Sequence, residues 1–144
     1  MSLLEWSTAL ELGVDRMDHT HREFVDQLNA LSAAPDAAFL ALLDRFLDHT
    51  VQHFEQEKRW MAQLPFPPIH CHTAEHEGVL EVMREARQHV AAGNVEVGRV
   101  LARELAPWFA QHAATMDAML AQVMKASGFN PDQVTASQSE PAGA

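Results

Sequence analysis

The 144-residue chain has one cysteine, no tyrosine and half as many basic residues as acidic ones. Each shortage excludes something. With Cys71 alone there is no internal disulfide, and no thiolate cage for zinc or an iron–sulfur cluster can form within one chain. Without tyrosine there is no stored tyrosyl radical. Ten basic against twenty acidic residues leave a net charge of −10, so no basic field draws phosphate, and nucleic acid and anionic membrane surfaces drop out as partners. No apolar run approaches the roughly 20 residues of a bilayer span, and Met1–Leu10 lacks the basic start and apolar stretch of an export signal. The expected setting is the cytoplasm, without membrane insertion. At 16.0 kDa the chain is sized for one domain. What it has in surplus is histidine, nine in all.

Hydrophobic spacing predicts an all-α fold of four long helices. After a loop with Trp6, Gly13 and Val14, Asp18 reads as the N-cap of a helix to about Ser32, with Met17, His21, Phe24, Leu28 and Leu31 inward. A second helix starts at Pro35-Asp36 and ends at Pro65, its stripe being Phe39, Leu42/Leu43, Phe46, His53, Glu57, Trp60/Met61 and Leu64. A third, from near His70 to Gly93, turns His72, His76, Val79, Met83, Ala86 and Val90 inward. The fourth, from about Val95 to Ser127, offers Val97, Leu101, Leu105, Trp108, His112, Met116, Met119 and Val123. Pro107 predicts a kink or interruption within a turn of itself. Short loops favour antiparallel neighbours, hence an up-down-up-down bundle over residues 1–127. The Pro-, Ser-, Gln-, Gly- and Ala-rich residues 128–144 lack the apolar content to pack and are expected to form a disordered tail.

The seam of this bundle breaks the rule for a core, since a buried polar group without a partner costs on the order of 2 kcal/mol or more. His21 sits between Met17 and Phe24, His53 and Glu57 between Phe46 and Trp60, His72 and His76 before Val79, and His112 after Trp108. Every helix contributes at least one such residue, and a shared partner explains them together. Residues four apart on a helix are neighbours, so His53/Glu57 and His72/His76 can each serve one ion or two adjacent ones. Asp117 follows His112 by five residues, about 140° round an α-helix, and spacing alone seats Met116 inward instead. With Asp117 counted, five imidazoles and two carboxylates are too many donors for one four-coordinate zinc and suit a pair of ions with bridging carboxylates. The zinc-protease motif fails because Leu80 stands where its second histidine belongs, and the paired Glu-x-x-His motifs of ferritin-like sites are missing.

Four segments together resemble the hemerythrin family, in particular its single-domain bacterial members. They are Gly13-Val14-Asp15-Arg16-Met17-Asp18-His19-Thr20-His21, His53-Phe54-Glu55-Gln56-Glu57, His72-Thr73-Ala74-Glu75-His76, and Trp108-Phe109-Ala110-Gln111-His112 with Asp117 five residues on. The resemblance runs from Trp6 to about Met124. It implies two iron ions in a four-helix bundle, joined by an oxo or hydroxo bridge, with dioxygen as the partner. By position, His72, His76 and His112 would hold one iron, His21 and His53 the other, and Glu57 and Asp117 would bridge them. The iron one ligand short is where dioxygen would bind reversibly, and the expected role is transport, storage or delivery by a monomer rather than catalysis. Neutral imidazoles add no negative charge, so such a site is less electron-donating than a carboxylate-rich one and favours reversible binding over oxygenation. Phe24, Phe54, Trp108 and Phe109 would keep water away. Two positions depart from the family pattern, Thr20 where glutamine is usual and Ala113 where a bulky aliphatic residue is; Ala113 predicts a roomier pocket and faster oxidation.

The remaining features have ordinary explanations. His19, His70 and His89 read as surface residues, His49 as a neighbour of the ligand set, Cys71 as a free thiol without a role, and the methionines of the fourth helix as core filler. Two other functions compete with oxygen carriage. A sensor of dioxygen, nitric oxide or redox state would need an output partner, since no further domain fits in this length. A di-iron enzyme acting on peroxide or nitric oxide would need a proton donor inside the bundle, for which Thr20 and His49 are the candidates. A metal-free structural bundle is the bland alternative.

Overall fold

The computed structural model describes residues 2–132, and among these there is no β-strand. A short 3₁₀ turn, Thr8–Leu10, precedes α1 (Asp15–Ala33), α2 (Asp36–Gln63), α3 (Ile69–Ala91) and α4 (Val95–His112). α4 runs on through a π-helical turn, Ala113–Asp117, into α5 (Ala118–Ser127), so the last three segments of helix act as one rod. α1 packs on α2, α2 on α3 and α3 on α4, and contact between α1 and α4 closes the bundle. The connections are too short to do anything but reverse the chain. Gly93 ends α3 with φ of +106°, a conformation that side chains with a Cβ rarely adopt. Gly98 matters for packing: a Cβ there would overlap the Phe39 ring and Val90, so its absence lets α4 lie close against α2 and α3.

The helix starts and stops follow the expected punctuation, with two corrections. Asp18 is not the N-cap of α1, which begins three residues earlier; the Asp18 amide already donates to the Val14 carbonyl at 2.9 Å. Its carboxylate instead accepts from the amides of Leu12 (2.8 Å) and Gly13 (3.2 Å) and so fastens the preceding loop to the helix. Nor does Pro107 interrupt the fourth helix, because α4 passes through it unbroken to His112. The carbonyl that loses its donor belongs to Arg103, four residues earlier, and both residues are exposed, so water can satisfy it.

The apolar interior comes in two pieces. A large cluster is built on Phe24, Leu28, Phe39, Leu43, Phe46, Met83 and Leu105, and a small one on Met17, Trp60, Met61, Phe66, Leu120 and Met124. The expected inward apolar residues of α1 and α2 fall in these clusters, with Leu42 only partly buried and Leu43 fully so. Val79 of α3 and Val97 and Trp108 of the last rod, all expected inward, are only half-buried, and after His112 the rod departs from the expected positions altogether. There the buried residues are Asp117, Leu120, Ala121 and Met124, whereas Met116 and Val123 are half-buried and Met119 is exposed. Each inward position has moved one residue on from the expected one, because the π turn inserts an extra residue into the helical repeat.

Past Gly128 the chain still touches the bundle. Phe129 packs on the small cluster and Arg16 pairs with Asp132 at 2.7 Å. The rest of the expected tail, residues 133–144, lies outside the described residues. No helix among those described is long and apolar enough to cross a membrane.

Candidate metal centre

Between the two apolar clusters lies a polar layer. His21 is six residues from the start of α1, Glu57 six from the end of α2, His72 three from the start of α3 and His112 at the end of α4. Alternation of starts and ends is what antiparallel helices need to bring four sites to one level. The layer holds His21, His53, Glu57, His72, His76, His112 and Asp117, all buried, with His21 and Asp117 at 0% exposure. All seven residues expected from the sequence as metal ligands are therefore brought together.

Asp117 reaches the layer through the π turn. With hydrogen bonds from residue i to i+5, five residues make close to one revolution, so Asp117 stands beneath His112 instead of about 140° away.

Every imidazole enters with Nε2, its outermost nitrogen. His53 Nε2 lies 2.9 Å from Glu57 Oε2 and His21 Nε2 lies 3.5 Å from the same oxygen. The other oxygen, Oε1, faces His72 at 3.3 Å and His76 at 3.5 Å. Asp117 divides its oxygens likewise, with Oδ2 at 3.2 Å from His21 and Oδ1 at 3.0 Å from His72 and 3.2 Å from His112. Both carboxylates thus present one oxygen to a two-histidine side and one to a three-histidine side. By mutual proximity the ligand atoms fall into two groups, Glu57, His72, His76, His112 and Asp117 in one, His21, His53 and Glu57 in the other.

Proximity alone does not satisfy these atoms. Glu57 Oε1, both Asp117 oxygens and the Nε2 atoms of His21 and His72 are buried with no hydrogen bond of acceptable geometry, although the separations are only 3.0–3.5 Å. Left so, each would cost on the order of 2 kcal/mol or more. Lone pairs from nitrogen and carboxylate oxygen aimed at a common interior suit a borderline or hard cation, and the cluster can hold a metal.

Protons can serve the layer only in part. Burial pulls the His21 pKa down, but Asp117 and Glu57 outweigh it and hold it up at about 10. The same contest leaves His72 at about 9 and His112 above its ordinary value. For His76 burial wins: Glu57 opposes it, His72 and His112 reinforce it, and the pKa falls to about 3. Burial also works against the charged carboxylates, yet His53, His21 and His72 hold Glu57 well below its usual range. Asp117 is held low by the nearby rings of His112, His21 and His72, against both burial and the Glu57 charge.

Aromatic rings wall the layer. Phe54 stacks on His76 at 3.8 Å and Trp108 on His112 at 4.6 Å, while Phe109 meets the His21 ring edge-on at 5.2 Å and stacks on Phe24 at 4.4 Å. Ala113 is fully buried in the large cluster beside them. His49, expected near the ligands, bonds to Glu23 Oε1 at 3.1 Å and lies 6.3 Å, ring to ring, from His53 without bonding to it. His19, His70, His89 and Cys71 are exposed. One residue that the sequence pattern does not single out is Glu75, whose Oε1 accepts from His112 Nδ1 at 2.8 Å. Its partner is 37 residues away on another helix, beyond what periodicity within one helix can reveal.

Comparison with known proteins agrees with the geometry. The profile of the hemerythrin HHE cation binding domain matches residues 12–123. A bacteriohemerythrin from Ralstonia nicotianae is 45% identical over 83% of this chain and 88% of its own length. One from Stenotrophomonas maltophilia is 30% identical over 88% and 84%. The fold superposes on a crystal structure of a hemerythrin point mutant with a TM-score of 0.78, at 24% identity, covering 85% of this chain and 98% of the other. Profile and relatives span the same helices that carry the seven converging side chains, and the chain belongs to the hemerythrin family.

Proposed function

We propose that the layer holds two iron ions and that the protein binds dioxygen reversibly. His72, His76 and His112 hold one iron, His21 and His53 the other, and Glu57 and Asp117 bridge the two. The observation that carries this reading is the division of both carboxylates, one oxygen toward each histidine side. Two ferrous ions supply the pair of electrons that dioxygen uptake requires. The chain's own residues set the outcome. Five neutral imidazoles fix the ions without adding negative charge, and the two-histidine side offers one donor fewer, leaving room for a small ligand.

Binding is favoured over chemistry by what surrounds the layer. Phe24, Phe54, Trp108 and Phe109 exclude water. Thr50, a buried hydroxyl three residues before His53, donates to the Phe46 carbonyl at 2.8 Å, so its proton is committed within its own helix. Thr20 donates to the Arg16 carbonyl at 3.0 Å and His49 bonds to Glu23, so neither candidate donor is bonded to the layer.

The test is anaerobic reconstitution with Fe(II), metal analysis, then alternating exposure to dioxygen and argon. We expect two irons per chain and a visible absorption change that reverses over several cycles. Continued consumption of dioxygen over many turnovers when a reductant is supplied would instead identify a consuming enzyme. Glu57→Ala, which removes an oxygen from each side, should reduce the iron content to one or none.

A further inference from the structure

Among the imidazoles of the layer, His112 is held differently from His21, His53 and His72. The Nδ1 atoms of His21, His53 and His72 are buried with no hydrogen-bond partner, whereas His112 Nδ1 meets Glu75 Oε1 at 2.8 Å. Glu75 stands on α3 immediately before His76, and its side chain is 37% exposed. It borders two surface grooves, one of about 390 Å³ between α3 and α4 and one of about 580 Å³ that reaches His112 itself. Trp108 borders both grooves as well and covers one face of the His112 ring, 4.6 Å away and inclined by 18°. The imidazole is thus fixed at its edge by Glu75 and on its face by Trp108, while Nε2 points at Asp117 Oδ1.

We propose that Glu75 is a positioning residue for the metal centre: by accepting from His112 Nδ1 it fixes the tautomer that leaves Nε2 free to ligate, and it locks the ring between α3 and α4. This rests on the di-iron reading and deepens it. A ring nitrogen that donates to a carboxylate leaves the opposite nitrogen a more basic ligand, and such partners typically matter by 10- to 100-fold in metal affinity. His112 lies at the C-terminal end of α4, immediately before the π turn, where the helix repeat changes. On its C-terminal side the rod continues, but with the π repeat in place of the α repeat. A bond from the neighbouring helix supplies a further constraint, and it makes α3 responsible for three of the groups on the three-histidine side: His72, His76 and the carboxylate that orients His112.

The experiment uses the full chain, wild type, Glu75→Gln and Glu75→Ala. Gln keeps an oxygen acceptor at the same reach and removes the charge; Ala removes both. Nitrogen-15 NMR of the metal-free proteins should show a slowly exchanging Nδ1 proton on His112 in the wild type and in Glu75→Gln, lost in Glu75→Ala. In the iron-loaded proteins, release to a ferrous chelator should be about 10- to 100-fold faster in Glu75→Ala and within a few-fold of wild type in Glu75→Gln. The midpoint potential of Glu75→Gln should rise, because the negative charge behind the ligand is gone while the bond remains. A purely structural role would not move that potential. Wild-type release and an intact Nδ1 proton in Glu75→Ala would overturn the proposal, as would loss of that proton in Glu75→Gln. Wild-type protein that takes up no iron would sink the di-iron reading by itself, and the NMR comparison would still decide whether Glu75 holds His112.

Discussion

The large apolar cluster and the histidine layer beside it occupy one continuous bundle and obey opposite rules. In the cluster around Phe24, Phe39 and Phe46, hydrocarbon fills the space and each contact is replaceable by another of similar volume. In the layer, seven ionisable side chains share an interior of similar dryness, and each orients toward specific atoms of the others. The small cluster around Trp60, Met61 and Leu120 then closes the far side. The polar layer is thus flanked by packed hydrocarbon on both sides, which keeps its geometry and excludes water. The bundle's stability comes mainly from its apolar ends, and its specificity from the layer between them.

That division can be broken at three points. The heaviest loss is expected in the cluster: Phe24→Ala should cost about 3–5 kcal/mol in urea denaturation, because Phe24 is fully buried against Phe46 and Phe109. Iron content should stay at the wild-type level, since no ligand is replaced and His53, whose ring the Phe24 ring meets edge-on at 6.2 Å, keeps its other contacts. A loss below about 1 kcal/mol would mean that the cluster collapses around the gap and that its packing is not what frames the layer.

Next is the pH dependence of the layer without metal. His21 and His72 titrate at about 10 and about 9 in the folded chain, against 6.5 when unfolded. The folded state therefore holds protons that the unfolded chain has lost. Their stabilisation is complete below pH 6.5 and vanishes as pH rises through 9 and 10. His76 acts in the opposite direction: with a folded pKa of about 3, its contribution is full above pH 6.5 and is lost on acidification toward 3. The metal-free melting temperature should fall steadily from pH 6.5 to 10. The iron-loaded protein should not show this fall, because the ions take the place of those protons. Parallel profiles for the two forms would mean that metal and protons do not compete for the same nitrogens.

The mildest change is expected where intuition suggests a severe one. Ala114 is an exposed residue of the π turn, and its removal would leave Asp117 four residues after His112, still a neighbour on one face of an ordinary α-helix. Leu120 and Met124 would keep their places. Stability should change by no more than about 1 kcal/mol and iron should be retained. Removal of Ala110, upstream of the turn, should instead rotate His112 by about 100° and abolish iron binding. Equal damage from both deletions would show that the π turn is more than a stored extra residue.

Most of the layer is legible in the sequence because its residues violate a strong pattern. His21, His53, Glu57, His72, His76 and His112 sit on positions where the 3-4 beat demands hydrocarbon, and α1, α2 and α3 keep that beat throughout. Asp117 escapes because the beat itself changes between His112 and Ala118, and with it the expected places of Met116, Met119 and Val123 slip by one residue. Asp18 is found in the expected region with a different partner, since a side chain that can cap a helix can as well bind the loop before it.

Four helices, their antiparallel order and the set of polar residues that must share an interior all follow from the amino-acid string. Those are consequences of periodicity and of short connections, and both are local. It took the packed bundle to bring Asp117 into the layer, to divide each carboxylate between two histidine sides, and to let Glu75 on α3 grip His112 on α4. The reason is physical: a local repeat specifies which face a residue occupies, whereas the register of one helix against another, and the extra residue a helix takes up to meet its neighbours, are set by packing across the bundle.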